Sequence, residues 1–195
     1  TSYKDKQQLY HSMKKGLSKC ILKLMGWKVG QILPEVDKCV IVVAPHTSNM
    51  DFVIGKLAYT SIGRTANFLI KKDWFFFPFN HFFNSIGGIP VDRDRRTSIT
   101  DKLAIEFEER DKFQLAITPE GTRKRARKWK KGFYFIATKA NVPIVLVALD
   151  YGTKTVSFLD TFYPTGNFDD DIKIIREKYN DIEAKHPDQF VKMES

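Results

Sequence analysis

"VIVVAPHTSNMDF", Val40 to Phe52, passes from an unbroken apolar run through Pro45 to His46 and on to Asp51. A short run of valine, isoleucine and alanine closed by a proline reads as a strand buried on both faces, the kind that lies under helices in a parallel sheet. A turn at Thr47 to Asn49 supplies polar side chains that cap a helix, and Met50 to Ile62 continues as that helix. Strand leading directly into helix is the first half of a βαβ unit.

The same apolar signature recurs along the chain. "CVIVVA" (39–44), "ANFLI" (66–70), "GGIPV" (87–91), "FQLAIT" (113–118), "PIVLVAL" (143–149) and the weaker "TVSFL" (155–159) read as strands. Helical patterns separate most of them. Ser98 to Arg110 carries Ile99, Leu103 and Phe107 at i, i+4, i+8, and "FYFIATKA" precedes the fifth strand. Asp169 to Lys185 sets Ile172, Ile175, Tyr179 and Ile182 on one face behind three aspartates at its positive end. The alternation predicts an α/β fold, a mixed and mainly parallel sheet flanked by helices.

Ahead of the first strand, Gln7 to Val29 places Leu9, Met13, Leu17, Cys20, Ile21, Leu24 and Trp27 at helical spacing, with five lysines between them. This is an amphipathic basic helix, whose apolar stripe either packs on the protein or lies on anionic lipid. The expected organisation is a single domain over 1–195: a basic helical segment at 1–30, a core at 39–160 and a C-terminal helix at 168–185. "WFFFPFNHFF" (74–83) crowds six phenylalanines and a tryptophan into ten residues. Three readings stand: an aromatic cluster under a loop, the wall of an acyl pocket, or a wedge at a lipid interface.

A net charge of +9 over 195 residues implies a polyanionic partner: nucleic acid, anionic lipid, or an acidic or phosphorylated substrate. Cys20 and Cys39 stand far apart without metal-ligand spacing, so neither a disulfide framework nor a zinc site is indicated and no metal is expected. No apolar run reaches the roughly 20 residues that span a bilayer, and no secretory signal opens the chain. The expected setting is cytoplasmic, with peripheral attachment to the cytoplasmic face of a membrane.

His46 and Asp51 emerge beyond a strand's carboxyl end, where α/β sheets collect ligands. In one continuous helix, positions five apart would point about 140° away from each other. A turn at Thr47 to Asn49 instead folds His46 back onto Asp51, which fixes the imidazole tautomer and stabilises the imidazolium. Such a base needs no protein nucleophile when the substrate brings its own hydroxyl. Taken alone, Asp51 reads equally as a helix first-turn acid and His46 as a polar loop residue. "GGIPVDRDRR" (87–96) carries Arg93 beyond another strand, and a guanidinium suits bidentate phosphate binding. In "TPEGTR" (118–123), Glu120 anchors a turn or an arginine, Gly121 permits unusual backbone angles, and Thr122 with Arg123 holds an anionic oxygen.

In residue type and order these blocks resemble the glycerolipid acyltransferase family typified by lysophosphatidate acyltransferases, across roughly Cys39 to Ala148. The family's His and Asp separated by four residues match His46 and Asp51. Its glycine leading through a strand to an arginine matches Gly87 to Arg93, its Pro-Glu-Gly-Thr-Arg block matches Pro119 to Arg123, and its Val-Pro strand matches Val142 and Pro143. The resemblance implies acyl transfer from acyl-CoA or acyl carrier protein to a hydroxyl of a glycerol-phosphate-like or lysolipid acceptor, with 1-acyl-glycerol-3-phosphate expected. His46 would be the base and Asp51 its orienter. Arg93, Glu120, Gly121, Thr122, Arg123 and Lys130 would serve the acceptor, and no cofactor is implied beyond the acyl thioester. Pro45, Thr118 and Leu146 depart from the family pattern without removing a reacting group.

A reading from another class treats "RKRARKWKK" (123–131) as the phosphate-tracking stripe of a module that binds nucleic acid or anionic lipid without catalysis, with Trp129 stacking on bases. That reading leaves the His46/Asp51 pair and the glycine-arginine block unexplained. No nucleic-acid partner is therefore expected; the partners expected are an anionic membrane surface, the acyl donor and the acceptor.

Overall fold

The computed structural model describes residues 3–74, 76–91 and 96–193, with backbone alone at residues 3, 4, 74 and 96–98. Among these, strands lie at Lys28–Val29 (β1), Lys38–Ala44 (β2), Asn67–Lys71 (β3), Gly88–Val91 (β4), Phe113–Ile117 (β5), Ile144–Asp150 (β6) and Thr155–Phe162 (β7). Helices lie at Tyr3–Leu24 (α1), Asn49–Ser61 (α2), Phe79–Ser85 (α3), Arg96–Glu109 (α4), Gly132–Ala140 (α5) and Phe168–Glu177 (α6). The seven strands form one sheet in the order β1-β7-β6-β2-β5-β3-β4. From β6 through β4 the neighbours are parallel, whereas β7 runs antiparallel to β6. The fold is the mixed, mainly parallel sheet flanked by helices that the apolar runs predict.

Strand alternation sorts the core into two layers. Val40, Val42 and Ala44 of β2 face one cluster with Leu103 and Phe107 of α4, Phe133 and Ile136 of α5 and Ile175 of α6. Cys39 and Ile41 face the other, with Leu22 of α1 and Ile54 and Ala58 of α2. Each fully buried Val, Leu or Ile contributes about 1.5–3 kcal/mol of apolar transfer free energy, and β2 is buried along most of its length because both faces are covered. Neighbouring strands β2 and β5 send their following helices to opposite layers, α2 to one and α5 to the other. Such a reversal leaves a crevice beyond the carboxyl ends of the two strands.

Several elements differ from the sequence expectation. The basic helix stops at Leu24, because Gly26 takes φ +75 and turns the chain so that Trp27 is buried and Lys28–Val29 pairs with β7. The stripe of α1 mostly faces outward: Leu9, Met13, Leu17 and Leu24 are exposed, and Ser18 and Leu22 are the residues turned into the protein. The aromatic run contains the short helix α3, and Phe76, Phe77, Phe79 and Phe82 are exposed rather than tucked under a loop. At the end of the chain α6 stops at Glu177, eight residues before Lys185. Beyond it, i to i+3 turns such as Tyr179 N–H to Arg176 O at 3.0 Å keep Tyr179 buried without further helix.

Candidate active site

The site begins as a helix cap. Ser48 is the N-cap of α2, and its side chain accepts the Met50 N–H at 3.2 Å. Asp51, at the third helical position, reaches back through Oδ2 to accept the N–H of Ser48 at 2.7 Å and of Thr47 at 2.8 Å. This capping box satisfies amide groups that a helix start leaves unpaired, and it curls residues 46–48 over the carboxylate. His46 thereby lies with Nδ1 3.3 Å from Asp51 Oδ2. The separation is short enough for an ion pair, but the N–H direction misses the oxygen, so Nδ1 makes no aligned hydrogen bond. Catalytic contacts of this kind often tighten only when substrate binds.

Asp51 is only 2% exposed, and burial works against its charge. The close His46 ring and the hydrogen bonds from Tyr151, Ser48 and Thr47 outweigh that penalty and hold its pKa below the ordinary carboxylate value. The Tyr151 hydroxyl donates to Asp51 Oδ1 at 2.5 Å. Tyr151 was not legible as a site residue; its one signal is its place just past the carboxyl end of β6, in the row of strand ends that carries His46 and Glu120.

Glu120 follows β5 and is buried, with Oε1 accepting the backbone N–H of His46 at 3.0 Å. Oε2 has no hydrogen-bond partner among the described residues. Burial pushes the Glu120 carboxyl up to about 7, against the opposing pull of its own and His46's N–H groups. Its place is behind the histidine, outside the lining of the adjoining cavity.

Of the other expected residues, Gly121 and Lys130 line that cavity. Gly121 takes φ +62, which favours glycine, and a Cβ there would meet the Lys130 side chain at 2.6 Å, so a substitution would strain the turn and displace the lysine laid over it. The Lys130 N–H donates to Pro119 O at 2.8 Å, which ties the basic run to the acid-glycine turn. Arg123 is exposed and its guanidinium donates to Asn49 Oδ1 at the start of α2, and Asn49 lines the cavity. Thr122 instead caps its own turn, accepting the Lys124 N–H at 3.2 Å. Arg93 lies outside the described residues. Trp129, expected on the nucleic-acid reading to stack on bases, is 6% exposed and packs on Tyr179 and Phe133, so it offers no free face.

The cavity measures about 1100 Å³ and is mostly apolar. The ladder between β3 and β5 stops at Phe68 and Ala116, and beyond it residues of both layers line the space. Val43, Val147 and Phe158 do so from one layer, and Ile117, Phe133 and Ile136 from the other. Two of its cations are tied to carbonyls: Lys56 Nζ donates to Ile86 O at 2.7 Å, and Arg64 donates to Leu33 O at 2.7 Å. None of residues 76–83 lines it, which removes the pocket-wall reading of that part of the aromatic run. A hollow of similar size, about 1000 Å³, opens at the other end of the sheet among Asp37, Asp101, Glu108 and Lys139 and brings no base and orienter together.

Among the described residues no His, Cys, Asp and Glu cluster suits a metal, and no helix is long and apolar enough to cross a membrane. A histidine held over a buried carboxylate at the mouth of an apolar cavity is equipped to remove a proton from a hydroxyl.

Residues 28–150, which include His46, Asp51 and Glu120, match the model of the acyltransferase family. No curated protein matches the chain. Among solved structures, the chain is similar to the crystal structure of PlsC, a 1-acyl-sn-glycerophosphate acyltransferase from Thermotoga maritima. The two share 18% sequence identity and a TM-score of 0.63, over 91% of this chain and 80% of that one. With well over half its length in that match, and with the fold of PlsC, the chain belongs to the acyltransferase family.

Proposed function

We propose that the protein transfers a fatty acyl group from an acyl thioester, acyl-CoA or acyl carrier protein, to a free hydroxyl of a glycerol-phosphate-like lysolipid. The acceptor favoured is 1-acyl-glycerol-3-phosphate. The observation that carries this reading is the His46–Asp51 contact at 3.3 Å beside the apolar cavity. The acceptor hydroxyl gives its proton to Nε2 of His46 as its oxygen attacks the thioester carbonyl carbon. The tetrahedral intermediate collapses, the C–S bond breaks, and the imidazolium returns the proton to the departing thiolate. Asp51, ionised and buried, stabilises the imidazolium between these steps.

Each methylene of an acyl chain moved from water into an apolar cavity contributes about 0.8 kcal/mol, so an apolar space of this size favours a lipid chain over a polar ligand. Lys130 and Arg123 lie at the cavity mouth and at the cap of α2, where they suit the acceptor phosphate, and Arg93 is assigned there on its sequence block. The exposed apolar stripe of α1 and the exposed phenylalanines at 76–82 suit attachment to the cytoplasmic leaflet, where lysines add about 1 kcal/mol each near anionic lipid.

The test is to supply acyl-CoA and acyl carrier protein donors with a panel of lysolipids and identify products by mass spectrometry. Diacylglycerol phosphate from 1-acyl-glycerol-3-phosphate is the expected product. Acylation of other lysolipids alone would reassign the acceptor, and no acylated product from any donor would refute the reading.

A further inference from the structure

The stretch that matches the acyltransferase family ends at residue 150, and the next residue makes the shortest of the hydrogen bonds to the Asp51 carboxylate. Asp51 divides its two oxygens between two tasks. Oδ2 takes the Thr47 and Ser48 amides and faces His46 Nδ1 at 3.3 Å. Oδ1 accepts the Tyr151 hydroxyl at 2.5 Å, within the short range of O–H donors to ionised oxygen.

We propose that Tyr151 is a positioning residue for acyl transfer, acting on His46 through Asp51. This rests on His46 being the base. The terminal torsion of an aspartate is broad, so a carboxylate held at one oxygen can still swing the other. The phenol fixes the second oxygen and with it the plane in which Oδ2 meets the imidazole.

It has a second consequence for the proton. When His46 has taken the acceptor's proton, the new imidazolium lies beside a buried carboxylate, and transfer of its Nδ1 proton to Asp51 would collapse the charge pair. A donor already on Oδ1 lowers the basicity of that carboxylate, so Nδ1 keeps its proton while Nε2 delivers the other to the thiolate. Tyr151 keeps its own proton throughout, and burial together with the Asp51 charge raises its pKa well above the ordinary phenol value.

Tyr151 is itself held. Its ring meets Trp27 edge-on at 4.8 Å between centroids, and its backbone N–H donates to Glu183 O at 2.8 Å. The same C-terminal segment reaches the catalytic turn, where the His186 N–H donates to Thr47 Oγ1 at 3.2 Å and Lys185 Nζ to Ser48 Oγ at 3.4 Å. The base-orienter pair is therefore braced by Trp27 after α1, Tyr151 after β6 and the segment after α6, all of which lie outside the matched stretch.

The experiment uses the full chain and two variants, Tyr151→Phe and Asp51→Asn, singly and combined. Loss of one hydrogen bond to a charged group predicts that Tyr151→Phe lowers kcat about tenfold. KM for both substrates stays within about twofold, and in the Asp51→Asn background the same change costs less than about twofold, because coupled residues are not additive. An unchanged kcat overturns the proposal. So does a loss of the same size in the Asp51→Asn background, or a fall in activity that tracks a lowered melting temperature with raised KM, since a purely structural tyrosine behaves that way. His46→Ala is run alongside. If it retains activity, the base assignment fails; if it is inactive while Tyr151→Phe matches the parent, only the role of Tyr151 fails.

Discussion

Glu120 accepts the backbone N–H of His46 at 3.0 Å, joining two residues 74 positions apart at the ends of adjacent strands. The acid of the third sequence block thus supports the histidine of the first from behind. It holds the backbone of His46 in place, whereas Gly121 and Lys130 line the cavity and Arg123 meets Asn49 at the start of α2.

That burial has a consequence for stability. The unfolded chain ionises Glu120 near 4.5, the folded one at about 7, so between these values the unfolded state binds fewer protons. Stability falls as pH rises through that window, by about 3 kcal/mol, and the loss is complete above it. Glu120→Gln keeps an oxygen for the His46 N–H and removes the titration. Relative to the parent, its melting temperature is expected to climb between pH 4.5 and 7 and then level off. A difference that stays flat across this range would show that Glu120 ionises normally.

Gly55 lines the cavity from α2, and a Cβ there meets nothing within 4 Å. Gly55→Ala should stabilise the helix by about 0.5–1 kcal/mol with little change in activity. Gly55→Leu projects a branched side chain into the apolar cavity, where the proposed function puts the acyl chain. Its turnover with long-chain donors is expected to fall several-fold more than with short-chain donors, measured by competing acyl-CoAs of different length. Equal loss on all donors would place the acyl chain elsewhere.

Met13 and Leu17 on α1 are 64% and 63% exposed, so changing them removes little from the folded core. Met13→Glu/Leu17→Glu should leave the melting temperature within a few degrees of the parent while weakening binding to anionic vesicles by at least about tenfold, as apolar insertion and charge attraction are both lost. Sedimentation with vesicles of graded anionic content measures it. Unaltered vesicle binding would assign attachment to the phenylalanines at 76–82 or to the basic run instead.

The strands were legible because residues such as Val40 to Ala44 are covered on both faces and so must be apolar without interruption. The His46–Asp51 approach was legible too, since only a capping turn brings positions five apart together. The end of α1 at Leu24, just before the turn at Gly26, was hidden by Trp27, which continues the helical spacing but is buried by a reversal of the chain. β1 escaped notice because two residues carry no period. Tyr151 left no motif: its role depends on β6 ending beside α2, a relationship set by the order of strands in the sheet. The outward face of α1 was left open by its pattern, because an apolar stripe has the same spacing whether it meets protein or lipid.

In the proposed reaction His46 removes the acceptor's proton. That step is tested most directly by comparing parent and His46→Ala in thioester-dependent acylation of 1-acyl-glycerol-3-phosphate, with product counted by mass spectrometry. The variant is predicted to lose about 10² to 10⁴-fold in kcat, the usual contribution of a general base, while still binding lipid vesicles. Turnover equal to the parent would rule out His46 as the base.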